Sequence, residues 1–253
     1  MKQPSRRILA IDLFKGSAIL AMVVLHYIYV FEYLDLVSSK LVDSTEYIVV
    51  SRFVALTFII LSMVIVWFRS TTIAPQQHWL TQLVKQTVKI GVAALIVTAV
   101  THAVLDQSYV RFGILHMITV ATFVNGLLLR NHFPRWWFGL FGVLAVVLGV
   151  WLQFQTFPIY GWEWFGFLSP GFNSVDYVPF LPWIGVTWLA LLSAPNILSF
   201  AKSMQPELEK SNRWHWLLWC GRHSLAIYLL HIPFLILLLL PCLLLGSRNL
   251  CRF

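Results

Sequence analysis

IDLFKGSAILAMVVLHYIYVF, residues 11–31, is apolar for long enough to cross a bilayer, yet it carries Asp12 and Lys15 at one end and His26 deep inside. A hydrocarbon core of about 30 Å is spanned by roughly 20 helical residues. Ionisable side chains inside such a segment are costly and turn toward protein or a watery cavity rather than lipid. The stretch therefore reads as one wall of a helical bundle. Similar apolar runs follow at 47–68, 84–104, 112–129, 136–153, 180–200 and 222–245, so that with the first, at 9–31, the sequence predicts about seven spans.

Composition agrees. The chain is 59% hydrophobic and 11% charged, with a mean hydropathy of +0.77, whereas soluble domains carry about 25% charged residues. Backbone groups in lipid must be satisfied within the segment, which makes the spans helices. The expected fold is an all-α, polytopic transmembrane bundle, one domain over 1–253. The N-terminus has basic residues before an apolar stretch, as a signal peptide does, but no small-residue cleavage site follows, so the first span is expected to stay attached.

The net charge of +8 does not point to nucleic acid, because Lys and Arg lie between apolar runs and form no dense patch. They mark orientation instead. Arg6, Arg7 and Lys15 precede the first span; Arg69, Lys85 and Lys89 flank the second connection; Arg130 and Arg135 the fourth; Lys202, Lys210, Arg213 and Arg222 the sixth. These ends are expected in the cytoplasm, with the N-terminus inside. Glu32, Asp35, Asp43, Glu46, Asp106, Glu163 and Asp176 gather at the opposite ends, while Arg248 and Arg252 run against the pattern. Cys220, Cys242 and Cys251 have no metal or redox spacing. No metal is expected, and Cys220 and Cys242 read as packing residues.

Three histidines lie within spans. His26 returns to nearly the same helix face as Lys15, about 16 Å further along, with Met22, Tyr29 and Tyr33 on or near that stripe. In GRHSLAIYLLHIPF (221–234), Ser224, Tyr228 and His231 share a face, and Pro233 can kink the helix. In RFGILHMI (111–118), His116 lies about 7 Å beyond Arg111, and Gly113 permits close helix approach. Each histidine has two readings: an interhelical hydrogen bond, or a role in chemistry. The aromatic, Pro- and Gly-rich connection from Phe154 to Pro179 likewise reads either as an interfacial belt or as a lid over an outward cavity.

Four ordered segments resemble a known family: RRILAIDLFKGSAILAMVVLHY (6–27), FGILHMI (112–118), DYVPFLPWIGV (176–186) and GRHSLAIYLLHIPF (221–234). They are similar to the catalytic domain of heparan-alpha-glucosaminide N-acetyltransferase and its bacterial relatives, among the transmembrane acyltransferases. The resemblance implies an integral membrane enzyme. It would pass an acyl group from cytoplasmic acetyl-CoA or another acyl-CoA to an acceptor, usually a sugar or glycan, on the outer side. It implies a bacterial inner-membrane location, with lipid, acyl-CoA and acceptor as partners and a homodimer among the partners considered. The sequence departs from the family pattern in FVALTFIILSMVIVWF (53–68), which lacks a Gly near Ser62 or Met63. It also departs in VKQTVKIGV (84–92), where two lysines stand for a richer basic run, and in HIP in place of HQP.

On this reading His26, with His116 and His231, is a catalytic candidate. A neutral imidazole can take the acceptor's proton or attack the thioester itself. Asp12, Lys15, Arg69, Lys85, Lys89 and Arg222 are candidates for holding the donor's phosphate end. Ser224, Tyr228 and His231 are candidates for polarising the thioester or orienting His26. Arg111, Asp176, Tyr177 and Trp183 are candidates for the acceptor. Two other classes compete: a transporter or proton-coupled carrier, for which intramembrane histidines are also expected, and a non-catalytic membrane partner with the same fold.

Overall fold

The computed structural model describes residues 7–37, 40–72 and 76–244. The expectations for Arg6, Arg248, Cys251, Arg252 and the side chain of Cys242 lie outside the described residues. The described residues form helices and connections, with no strand among them. The helices are α1 (Leu9–Tyr33), α2 (Thr45–Thr72), α3 (Gln76–Leu105), α4 (Ile114–Arg130), α5 (Arg135–Gln153), α6 (Phe180–Ser203), α7 (Gln205–Lys210), α8 (His215–Arg222) and α9 (Ser224–Leu244).

A helix occupies each of the seven segments read as spans. Five stretches are long and apolar enough to cross a bilayer: Leu9–Tyr33, Thr45–Thr72, His78–Leu105, Arg135–Gln153 and Phe180–Lys210. α4, at 17 residues, is at the lower limit of length. The last predicted span is filled by α9, and a preceding helical stretch meets it at an angle: Asn212–Arg222 and Ser224–Leu240 meet at 78°. Gly221, Arg222, His223 and Ser224 interrupt the apolar run of WLLWCGRHSLAIYLL where the break falls.

The chain divides into two compact units, Met1–Phe58 with Ala201–Phe253, and Ile59–Phe200. In the first unit α1 packs on α7, α8 and α9. Two glycines let α1 and α8 approach closely. A Cβ on Gly16 would lie 2.0 Å from the Leu217 carbonyl oxygen, and one on Gly221 would lie 1.8 Å from that of Asp12. Small residues bring helix backbones together where lipid offers no hydrophobic drive, and tight packing supplies the stability. Beside this contact Ile19, Met22, Leu25, Val54 and Cys220 form a buried cluster. Ile8 cannot cap α1 with its side chain, so the Gln205 carboxamide oxygen of α7 accepts from Leu9 N–H at 2.9 Å.

In the second unit α4 is central: Met117, Ala121, Thr122 and Asn125 have no exposed surface. Asn125 Nδ2 donates to Thr187 Oγ1 at 2.9 Å and to Met63 Sδ at 3.2 Å, joining α4 to α6 and α2. Gly149 of α5 lies against Pro182 of α6, and Gly185 of α6 against Gly142 of α5, with no room for a side chain at Gly149 or Gly185. The connection after α5 is a folded element. Phe157 N–H donates to Leu168 O, Phe180 N–H to Trp164 O and Leu181 N–H to Phe165 O. Val175 N–H and Val178 N–H reach Ser108 O and Phe112 O, which ties this connection to the one between α3 and α4. Gly161 and Gly166 hold positive φ values of 85° and 128° where the chain turns, a region L-residues disfavour.

Candidate active site

The first unit pairs His26 of α1 with His231 of α9. Their rings meet edge to face with centroids 4.9 Å apart. Tyr228 completes the cluster, 6.5 Å from His26 and 5.9 Å from His231. The spacing of Tyr228 and His231 on one helical face explains why both reach α1. His26 Nδ1 lies 2.8 Å from Met22 O, and His231 Nδ1 lies 2.7 Å from Tyr228 O. A carbonyl oxygen only accepts, so each Nδ1 carries a proton, and the lone pair of either ring in its neutral form lies on Nε2. His231 is buried, and its Nε2 has no hydrogen-bond partner among the described residues. Tyr47 donates to Leu25 O at 3.1 Å and Tyr27 to His231 O at 3.4 Å, so phenols brace the backbone on both sides of the pair. Sequence reading missed these two tyrosines, which carry no spacing signal of their own.

About 20 Å back along α1, buried Asp12 meets two guanidinium groups. Its Oδ2 lies 3.6 Å from Arg222 Nε and 3.7 Å from Arg7 Nε. Lys15 follows within a turn, half-buried. Ser224 opens α9 just past the break. These residues form a charged end to the α1, α8 and α9 cluster, with the histidine pair further along.

The second unit holds the remaining candidates. Arg69 donates to the Gln86 carboxamide, while Lys85 and Lys89 are exposed on α3. His116 has a hydrogen-bond partner on each ring nitrogen. Gly113 N–H donates to its Nδ1 at 3.3 Å, so its proton lies on Nε2, 3.2 Å from Thr98 Oγ1. Thr98 gives its own proton to Val110 O at 2.8 Å. Both ring nitrogens therefore serve the fold, as a cap on α4, and neither offers a free lone pair. Asp176 takes part in the same turn: its Oδ2 accepts from Ile114 N–H at 3.0 Å. Trp183 is buried in α6, and its indole N–H has no partner among the described residues.

Arg111 lines a cleft of about 560 Å³ with Tyr109, Tyr160, Glu163, Trp164 and Phe172. The Arg111 guanidinium carbon lies 5.1 Å from the Tyr109 ring centre and 5.2 Å from that of Phe172. Glu163, read from sequence only as an outer charge, is 7% exposed. Its Oε1 accepts from Ser169 Oγ at 2.6 Å, and Tyr177 O–H donates to its backbone carbonyl at 2.6 Å. Burial raises the Glu163 pKa, but the Ser169 hydroxyl, backbone N–H groups of its own loop and the charge of Arg111 outweigh that, and the carboxyl sits below its usual range. Burial, then the charge of Glu163, push the Tyr177 phenol up. Tyr177 and Asp176 thus organise the loop around the cleft. Among the described residues no group of three His, Cys, Asp or Glu side chains is placed to hold a metal ion.

Long apolar helices, five of them of bilayer-spanning length, define a multi-pass membrane protein of the all-helical class. Over residues 7–233 the chain matches the family model described as heparan-alpha-glucosaminide N-acetyltransferase, catalytic, and it belongs to that family. No curated protein and no solved structure matches it. The match runs through both compact units, and the family's reaction class is acetyl transfer with acetyl-CoA as the general donor.

Proposed function

We propose that the protein transfers an acetyl or other acyl group from a cytoplasmic acyl-CoA to a sugar or glycan acceptor on the outer side of the membrane. The N-terminus then faces the cytoplasm, with the bacterial inner membrane as the location. The observation that carries this reading is the histidine pair, in which Met22 O and Tyr228 O hold the two Nδ1 atoms, so that a neutral ring presents its lone pair on Nε2.

In the step proposed, the acceptor's hydroxyl or amine attacks the thioester carbonyl carbon. Its proton passes to His26 Nε2, and the carbon–sulfur bond breaks to release the thiolate, which takes up a proton. A positioned base of this kind contributes about 10²–10⁴-fold. Direct attack by Nε2 on the thioester, giving an acyl-imidazole, uses the same lone pair. His231 holds the edge of the His26 ring, and Tyr228 buttresses both. Met22 O fixes the tautomer, so no ring rotation is needed before proton transfer. Arg222 and Lys15 in the first unit, and Arg69, Lys85 and Lys89 in the second, supply cations of the kind that bind the donor's phosphates. The donor is thereby a substrate whose charged end favours the cytoplasmic ends of helices. His116 takes no part in the proposed chemistry.

Purified protein given labelled acetyl-CoA and a panel of mono- and oligosaccharides tests the proposal. Acyl transfer to a sugar supports it. Absence of transfer, together with sugar or proton flux in proteoliposomes without CoA, favours a carrier and overturns the enzyme reading.

A further inference from the structure

The cleft of the second unit is built from two kinds of surface that an interfacial aromatic belt does not combine. One wall is aromatic: Tyr160 and Trp164 are 73% and 41% exposed, and Trp164 is backed by Phe112 at 6.1 Å and by Phe180 at 6.4 Å between ring centres. The other is polar, from Arg111 and Glu163 with the Ser169 hydroxyl. A belt residue meets lipid on a convex apolar surface, whereas here the rings border a concavity that also holds a guanidinium and a carboxylate. The platform is rigid as well. Trp164 O and Phe165 O accept the backbone bonds that start α6, and Phe165 stacks on Phe180 at 5.4 Å.

Charge narrows the ligand. Arg111 and Glu163 line the same cleft with opposite signs, and each is already engaged, one by aromatic rings and one by a hydroxyl. A strongly acidic ligand meets the Glu163 charge and a strongly basic one meets Arg111. An uncharged ring with apolar C–H faces and a rim of hydroxyls suits the stacked rings and the polar groups together. We infer that this cleft binds an uncharged saccharide ring, stacked on Trp164 and Tyr160, with its hydroxyls donating to the Glu163 side and accepting from Arg111. This inference rests on the glycan-acceptor reading and gives it a substrate class and a set of residues, of which only Arg111 was expected to bind substrate.

The test uses the full chain in detergent and measures binding by tryptophan fluorescence and calorimetry, with no acyl-CoA present. The probes are chitohexaose and cellohexaose as neutral saccharides, and an oligogalacturonate of equal length as the acidic one. The neutral probes are expected to bind, with Kd changing less than about twofold between 0.05 and 0.5 M salt, since no net ionic attraction is screened. Tyr160→Ala removes an exposed ring with no structural burden and is expected to weaken binding about tenfold. Arg111→Gln is expected to weaken it about tenfold or more. Failure of both neutral probes to bind, tighter binding of the acidic one, or unchanged Kd in Tyr160→Ala overturns the inference. Saccharide binding without acyl transfer by the wild-type protein leaves the cleft standing and removes the enzyme reading. Acyl transfer without saccharide binding at this cleft does the reverse.

Discussion

Gly221→Ala probes the contact that positions the first unit's charged end. A Cβ at Gly221 would sit 1.8 Å from the Asp12 carbonyl oxygen, and the nearest atoms are all backbone. Ordinary contact requires roughly 3.4 Å, so α1 and α8 must separate by about 1.5 Å. The obstacle is a helical carbonyl, which cannot swing aside as a side chain would. Overpacking of this kind costs about 1–3 kcal/mol, and the rigid neighbour places Gly221→Ala at the upper end. Intrinsic helix preference runs the other way, favouring Ala over Gly by about 1 kcal/mol. The sign of the effect therefore tests the contact. The net of about 2 kcal/mol, at about 2–4 °C per kcal/mol for a chain of this size, is expected to lower Tm by about 4–8 °C. Tryptophan fluorescence during heating in detergent reads the transition, with Gly91→Ala as the control. There the nearest atom is a side-chain methyl of Thr119 at 3.3 Å, and a small or favourable shift is expected. A Tm for Gly221→Ala equal to or above wild type refutes the close α1–α8 packing.

Asp12→Asn leaves Arg7 and Arg222 without their anion. Because both arginines are well exposed, a loss of no more than about 1 kcal/mol is expected at low salt, partly restored by adding Arg222→Gln. A double-mutant cycle on Asn125→Ala and Thr187→Ala, read by Tm, is expected to show coupling of about 0.6 kcal/mol and not above about 1.7 kcal/mol. Additivity would mean the two do not interact. The depressed Glu163 pKa makes its carboxylate stabilising above the unfolded value of about 4.3, with that contribution lost as pH falls through the lower folded value. Glu163→Gln is therefore expected to flatten the acid side of the Tm–pH profile. An unchanged acid slope contradicts the carboxylate's role in the loop.

The helices were legible because lipid imposes length and apolarity on each segment, and these appear in any window along the chain. The face shared by Tyr228 and His231 was legible for the same reason, since helical period fixes it. That His231 could orient His26 followed from the similar depth of the two stripes, but the edge-to-face contact of the rings did not, because the period of one helix says nothing about which neighbour it faces. His116 shows the limit most plainly. Its spacing from Gly113 suits a cap as well as a catalytic site, and the contacts with Gly113 N–H and the Thr98 hydroxyl are those of a cap. The break before Ser224 falls at the polar interruption Gly221-Arg222-His223-Ser224, which marks where a span begins but not the 78° angle at which α9 leaves α8. Glu163 looked like a solvated loop charge because its partners, Ser169 and Tyr177, come from turns with no periodic pattern.

The most direct measurement of the central claim is the rate of acyl transfer by His26→Ala relative to wild type, at saturating acyl-CoA and acceptor, in protein shown to be folded by an unchanged melting transition. A fall of about 10²-fold or more is predicted, as expected on removal of a positioned base or nucleophile. A rate equal to wild type would contradict the assignment of the chemistry to His26.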